Sequence, residues 1–290
     1  MPLTNKIFPL VIVLIGSILF TGCSDDDPTL NREKEILSFQ FLMSQNSIST
    51  NVIGEIDHET NTIFAVLPGN SLKTALVPAV ISSTGATVTP IGVQDFSVPV
   101  TYTITAEDGT SEEYEVRVVN ERDALVAIYE ANSSNDLGWN LYEPDLSQWD
   151  GVFLFDGVIV ELRIHNSLLE VIPPEIGYLK NLKVLMTHMN NNASLPPEIG
   201  KLTNLERLSV GINNYLSSVP PEIGQLRSLK NLWIDNNPSL TSIPREIGQL
   251  SNLQNLFING NGFSIIPGEI CAMSTEYGTT IYTGVGMTCE

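Results

Sequence analysis

Three cysteines and three histidines stand in this chain, and their positions decide what chemistry is open to them. Cys23 follows an apolar run, Ile7 to Phe20, and is itself followed by Ser24 and three aspartates. Cys271 and Cys289 stand in a glycine-rich stretch near the other end. They either form one disulfide, if the compartment is oxidising, or remain two thiols. His165 and His188 lie 23 residues apart, and His58 stands alone. Two imidazoles could share a metal or a carboxylate, but a zinc site needs three or four converging ligands, and no third is evident. H-E-x-x-H, a phosphate-cradling glycine loop and a nucleophile elbow are all missing. Carboxylates are plentiful, yet a glycosidase needs a pair at a set separation in a cleft. The residues therefore point to binding rather than catalysis, with no metal and no cofactor.

Bulk composition narrows the partners. The 290 residues carry 14 Lys+Arg against 33 Asp+Glu, a formal charge of −19. Such a chain repels phosphate backbones, and with no basic run it is not expected to bind nucleic acid. Hydrophobic content of 42% against 16% charged is enough to bury cores, and the length suits two domains.

The apolar run is fourteen residues long, short of the roughly 20 that span a bilayer, and fits a secretory signal at 1–22. Its end, Phe20-Thr21-Gly22-Cys23, resembles the lipobox of bacterial lipoproteins. That resemblance implies cleavage before Cys23, acyl chains on its sulfur and new amine, and membrane attachment through lipid. Two or three chains anchor stably where one is marginal. Residues 23–35 read as an acylated tether, polar and broken by Pro28. The serine-plus-acidic start resembles the run that places lipoproteins of Bacteroidetes on the outer face of the outer membrane. Cell-surface exposure is the localisation it implies.

Residues 36–120 change to short alternating segments. Val100, Tyr102, Ile104 and Ala106 share one face, Asp108-Gly109 turns, and Tyr114, Val116 and Val118 share one face. That is a β-hairpin within an all-β sandwich of immunoglobulin-like type. "YTITAEDGT…YEV" resembles the closing hairpin of the modules that follow the tether in surface lipoproteins of Bacteroidetes. Residues 121–157 form a cap: Ala124, Leu125, Ile128 and Tyr129 have helical spacing, Asp123 is a candidate N-cap, and Trp139 and Trp149 follow.

The remainder repeats. "PPEIG" occurs at 173–177, 196–200 and 220–224, and returns as "PREIG" at 244–248 and "PGEIC" at 267–271. The intervals of 23 or 24 residues and the L-x-x-L-x-L-x-x-N register make residues 158–270 an α/β solenoid of about five leucine-rich repeats. Residues 271–290 are left as a C-terminal cap. Leucines point inward, Asn190, Asn213, Asn237 and Asn261 bond backbone where each strand bends, and the repeated glutamates fall on the convex side. The "I-P-x-E-I-G-x-L-x-x-L" half resembles plant-type leucine-rich repeats, which implies recognition of a protein or peptide on the concave face.

Residues between the inward leucines form columns on that face. The central column reads Arg163, Met186, Ser209, Trp233, Phe257; the next reads His165, His188, Gly211, Asp235, Asn259. Exposed aromatics beside Asn and Asp suit a protein hot spot or a sugar platform. A protein or peptide ligand is the first expectation and a glycan the second, with a structural envelope role as the third. The expected contact residues are Arg163, His165, Met186, His188, Trp233, Asp235, Phe257 and Asn259.

Overall fold

The computed structural model describes residues 30–290, so the signal, Cys23 and the start of the tether lie outside the described residues. The chain is already held from Asn31, whose side-chain amide donates to the Thr84 carbonyl at 2.9 Å, while Arg32 pairs with Asp108 at 3.2 Å. The tether expected as far as residue 35 is therefore docked on the first domain over its last residues.

That domain is a sandwich of two sheets. One contains β1 (Ile36–Phe41), β2 (Val52–Ile53) and β5 (Pro78–Ser82), in the order β2-β1-β5. The other contains β3 (Glu55–Asp57), β4 (Thr62–Leu67), β6 (Thr87–Thr89), β7 (Val100–Thr105) and β8 (Ser111–Asn120), in the order β3-β4-β8-β7-β6. Alternation puts Tyr102, Ile104, Tyr114 and Val116 inward from β7 and β8. They meet Phe39 of β1, whose ring lies edge-on to Tyr102 at 5.4 Å and to Phe96 at 6.4 Å. Burial without a hydrogen-bond partner pushes the Tyr102 phenol up to about 12.

No linker separates this domain from the next. β8 ends at Asn120, and α1 (Glu121–Ala131) starts at the following residue. The Asn120 side chain accepts from the Asp123 amide at 3.1 Å, and the Asp123 carboxylate accepts from the Asn120 amide at 2.8 Å. The N-cap is thus Asn120, and Asp123, expected as the cap, is the reciprocal partner three residues on. Below α1, Trp139 and Trp149 pack at 5.1 Å, each with its indole N–H donated to a carbonyl. They close the end of the solenoid core, as an apolar stack requires.

The solenoid carries a seven-stranded sheet. β9 (Val152–Phe155) pairs antiparallel with β10 (Val158–Arg163). Parallel strands follow: β11 (Val184–Met186), β12 (Arg207–Ser209), β13 (Asn231–Trp233) and β14 (Asn255–Phe257). After β15 (Ile265–Ile266) and α2 (Gly268–Glu276), β16 (Thr280–Tyr282) adds a sixth parallel strand, with Phe257 opposite Tyr282. About five repeats were expected, and the stretch read only as a cap extends their sheet. β17 (Thr288–Cys289) pairs with β15, and Cys271 and Cys289 are joined as a disulfide.

The asparagine ladder is continuous. Asn190 accepts from the amides of Ser167 and Leu169 and donates to the carbonyls of Ile164 and Thr187. Asn237 accepts from the Asn213 amide at 2.8 Å, and Asn261 from the Asn237 amide at 3.0 Å. On the convex side the "PEIG" copies form short 3-10 turns, such as Pro221–Gln225. A Cβ on Gly224 would lie 2.6 Å from the Glu246 carbonyl oxygen, so adjacent turns pack closely only because glycine stands there. Among the described residues no helix is long and apolar enough to cross a membrane.

Glu121 fastens the two domains. One carboxylate oxygen accepts from the Gly69 amide of the sandwich at 2.7 Å and from the Ile159 amide of β10 at 2.8 Å. Phe64 against Tyr178 (5.3 Å) and the Lys180–Glu55 ion pair lie beside it. Burial pushes the Glu121 carboxyl above its ordinary range, against the opposing effect of those hydrogen bonds. Glu121→Ala strands two buried amides and should cost about 2–4 kcal/mol in urea unfolding at pH 7. Glu121→Gln keeps an acceptor without the charge and should cost about 1 kcal/mol or less. A raised carboxyl pKa favours the folded state below its unfolded value, and that contribution is lost as pH rises through the folded value. Glu121→Gln should therefore gain on the wild type from about pH 4.5 upward. An unchanged midpoint for Glu121→Ala would remove this clamp from the account.

Candidate functional site

Parallel pairing in register sets the concave face. Arg163, Met186, Ser209, Trp233, Phe257 and Tyr282 are successive partners across the strands. Neighbours in such a column are one strand spacing apart, about 4.8 Å, which is near the contact distance of flat rings. The rings accordingly stack. Trp233 lies 5.4 Å from Phe257 with planes 7° apart, and Phe257 lies 4.1 Å from Tyr282 with planes 4° apart. In the adjacent column His165 and His188 stack at 4.7 Å with planes 4° apart.

Both stacks stop at the same repeat, where Ser209 and Gly211 replace large side chains. The result is a slot of about 310 Å³ lined by Met186, His188, Ser209, Gly211, Ile212, Trp233 and Asp235. Its floor is Ser209 and Gly211. One wall is Met186 and His188, and the other is Trp233 and Asp235. Because Phe257 covers one face of the Trp233 indole, the opposite face is the one turned to the slot. A Cβ on Gly211 would come within 2.8 Å of the Asp235 carboxylate, so glycine leaves that carboxylate its place at the rim. Ile212 stands on the rim, 45% exposed and with φ at +56°. A β-branched residue is strained there; Asn166, Met189, Asn236 and Gly260, none of them β-branched, take this turn position in the other repeats.

The expected contact residues divide into groups. Met186, His188, Trp233 and Asp235 meet around the slot. Phe257 backs Trp233, and Asn259 is half-buried at the next position beyond Asp235. Arg163 is turned elsewhere: it bonds Glu161 at 2.9 Å and lies 4.8 Å over the Phe153 ring. His165 touches the slot only through His188. Ser209, Gly211, Ile212 and Tyr282 were not among the expected contacts. Small residues interrupting two columns of large ones were the available signal for the first pair. Tyr282 had none, because "TTIYTG" carries only part of the repeat pattern.

Electrostatics single out Asp235. Glu161 is shared by Arg163 and Arg207, the second at 3.6 Å. Among the described residues no ion pair involves Asp235, whose carboxylate accepts only from the Asn236 side chain at 2.7 Å. The two histidines do not form a metal pair, because parallel rings send their in-plane lone pairs side by side rather than to one point. Among the described residues no group of three potential ligands is close enough to hold a metal. A larger hollow of about 580 Å³ lies between Thr241–Glu246 and Gly262–Pro267, away from these columns. Its Arg245 is paired with Glu269 at 3.5 Å.

A leucine-rich solenoid with an open slot on its concave sheet is the architecture of a binding module, and similarity to known proteins agrees with that class. Residues 36–118 match the family model "SGBP, N-terminal", the surface glycan-binding proteins of Bacteroidetes, and residues 161–264 match the "Leucine-rich repeat region" model. Neither family is catalytic. Among solved structures, a leucine-rich-repeat protein of Leptospira interrogans is 34% identical at a TM-score of 0.38, over 42% of this chain and 31% of that one. The leucine-rich-repeat ectodomain of the receptor kinase SOBIR1 from Arabidopsis thaliana is 24% identical at 0.47, over 58% and 96%. This chain thus spans about a third of the first of these proteins. No curated protein matches it.

Burial, and then the neighbouring His165, hold His188 below the ordinary imidazole value, with Asp235 opposing them. His188 is therefore neutral near pH 7. Its contribution to stability is present above about pH 6.5 and is lost as the pH falls through the lowered folded value. His165→Ala removes the ring stacked on His188, and with it part of the cover and the neighbouring charge, so the His188 midpoint should rise in an NMR titration of the ring protons. A midpoint that stays put would take His165 out of this account.

Proposed function

We propose that this chain is a non-enzymatic surface lipoprotein that presents its leucine-rich-repeat face for binding a protein or peptide. The observation that carries the reading is the open face of Trp233. The aromatic ladder behind it holds the indole rigid, and the small floor residues keep its outer face free. A side chain entering the slot would lose little entropy from the protein side and bury apolar surface on an ordered wall. Lipid anchoring through Cys23, suggested by the lipobox resemblance, and outer-membrane placement, suggested by the serine-plus-acidic run after it, are part of the same proposal. The sandwich then serves as a rigid spacer.

A second reading is glycan binding, favoured by the match of residues 36–118 to an SGBP family. A peptide-display library and an oligosaccharide array, both probed with the full-length chain, separate the two. Under the first reading, peptides are retained and Trp233→Ala lowers their affinity at least about ten-fold, the loss of a hot-spot contact. Ser209→Phe should block the slot yet keep or raise the melting temperature, because the new ring continues the ladder. Ligands retained equally by both variants would move the site off the concave face.

A further inference from the structure

We infer that the slot is a receptor for a single guanidinium group, the arginine side chain of a partner protein or peptide. The inference rests on the concave-face reading above and names the chemistry of its occupant.

Thickness comes first. Met186 and Trp233 are two strands apart, about 9.6 Å between chain levels. One flat group between the walls needs two contact intervals of about 3.5 Å, and two flat groups need three, which exceeds the gap. The slot therefore takes one planar layer, at the level where Ser209 interrupts the column. Charge comes second. Asp235, the unpaired carboxylate of this face, stands on the slot wall beside the indole, while Arg163 and Arg207 are drawn to Glu161. His188, on the opposite wall, is held neutral, so it does not repel a cation. The chain as a whole carries −19, which attracts a basic partner at long range.

A guanidinium meets all of these conditions. It is planar, it stacks on aromatic faces, it pairs with a carboxylate through two parallel N–H donors, and it keeps its charge at any working pH. Its methylene stem would lie along Met186 and the exposed Ile212, which gives the strained rim residue an apolar contact. A phenyl ring would fill the layer but leave Asp235 without a partner. An ammonium would satisfy Asp235 and be drawn to the indole, but as a compact charge it would neither fill the planar layer nor pair through two parallel donors.

The test compares peptides that differ at one side chain: arginine, its neutral planar isostere citrulline, lysine and phenylalanine. Binding to the full-length chain can be read from the fluorescence anisotropy of the labelled peptides, which stays readable in Trp233→Ala. The arginine peptide should bind at least ten-fold tighter than the citrulline one, with the preference abolished in Asp235→Asn. Equal affinities, or a preference for arginine that survives Asp235→Asn, overturn the inference. If the phenylalanine peptide binds best and depends on Trp233 but not Asp235, the arginine assignment falls and the concave-face reading stands. If only neutral oligosaccharides bind, or nothing depends on Trp233, both fall.

Discussion

One distance governs this molecule: the spacing of about 4.8 Å between neighbouring strands of a parallel sheet. Every repeat places equivalent atoms that far from their counterparts. On the inner side it lets an asparagine side chain reach an amide of the preceding repeat, which builds the ladder from Asn190 to Asn261. On the concave side it brings flat rings of successive repeats into contact, so Trp233, Phe257 and Tyr282 stack without any further device. On the convex side the same register demands glycine wherever adjacent turns approach, as at Gly224. The slot follows from the same spacing, since one repeat with small side chains opens a space two intervals deep.

The stack stands at one end of the face and the domain junction at the other. β8 passes into α1 without an intervening residue, and Glu121 ties both domains through one oxygen. Burying a carboxylate is costly, and burial raises the pKa of this one despite its hydrogen bonds. What it provides is orientation: the amides of Gly69 and Ile159 must both point at one atom. A buried acid used in this way suits a spacer that holds a binding face at a fixed angle better than it suits a freely pivoting linker.

Much of this could be read from the residues alone, because the repeat pattern is a direct image of the spacing. The leucine register locates the strands, and the columns place Trp233 beside Phe257 and His165 beside His188, as the structure has them. The misses have physical causes. Asp123 looked like a cap because it precedes the apolar periodicity, but the helix begins three residues earlier, where Asn120 also bonds Ser71. The junction was invisible because its key residue, Glu121, reads as an ordinary acidic first turn. β16 escaped because a terminal strand needs only one inward residue, Ile281, to join the sheet. The slot was missed because a hollow appears in sequence only as an absence of bulk, here at Ser209 and Gly211.

Stacking also bears on what kind of ligand the face can take. A sugar platform works by offering ring faces to the C–H surface of successive sugar units. Here Phe257 has both faces covered, one by Trp233 and one by Tyr282, and it presents only an edge. Free faces remain at the two ends of the ladder, on Trp233 toward the slot and on Tyr282 toward the end of the sheet. An extended glycan would find an alternation of edges rather than a run of faces. A polypeptide places single side chains at intervals on a thin backbone, and it needs only one ordered face per inserted group. On the reading proposed above, the ladder supports one wall of the slot rather than serving as a platform in its own right.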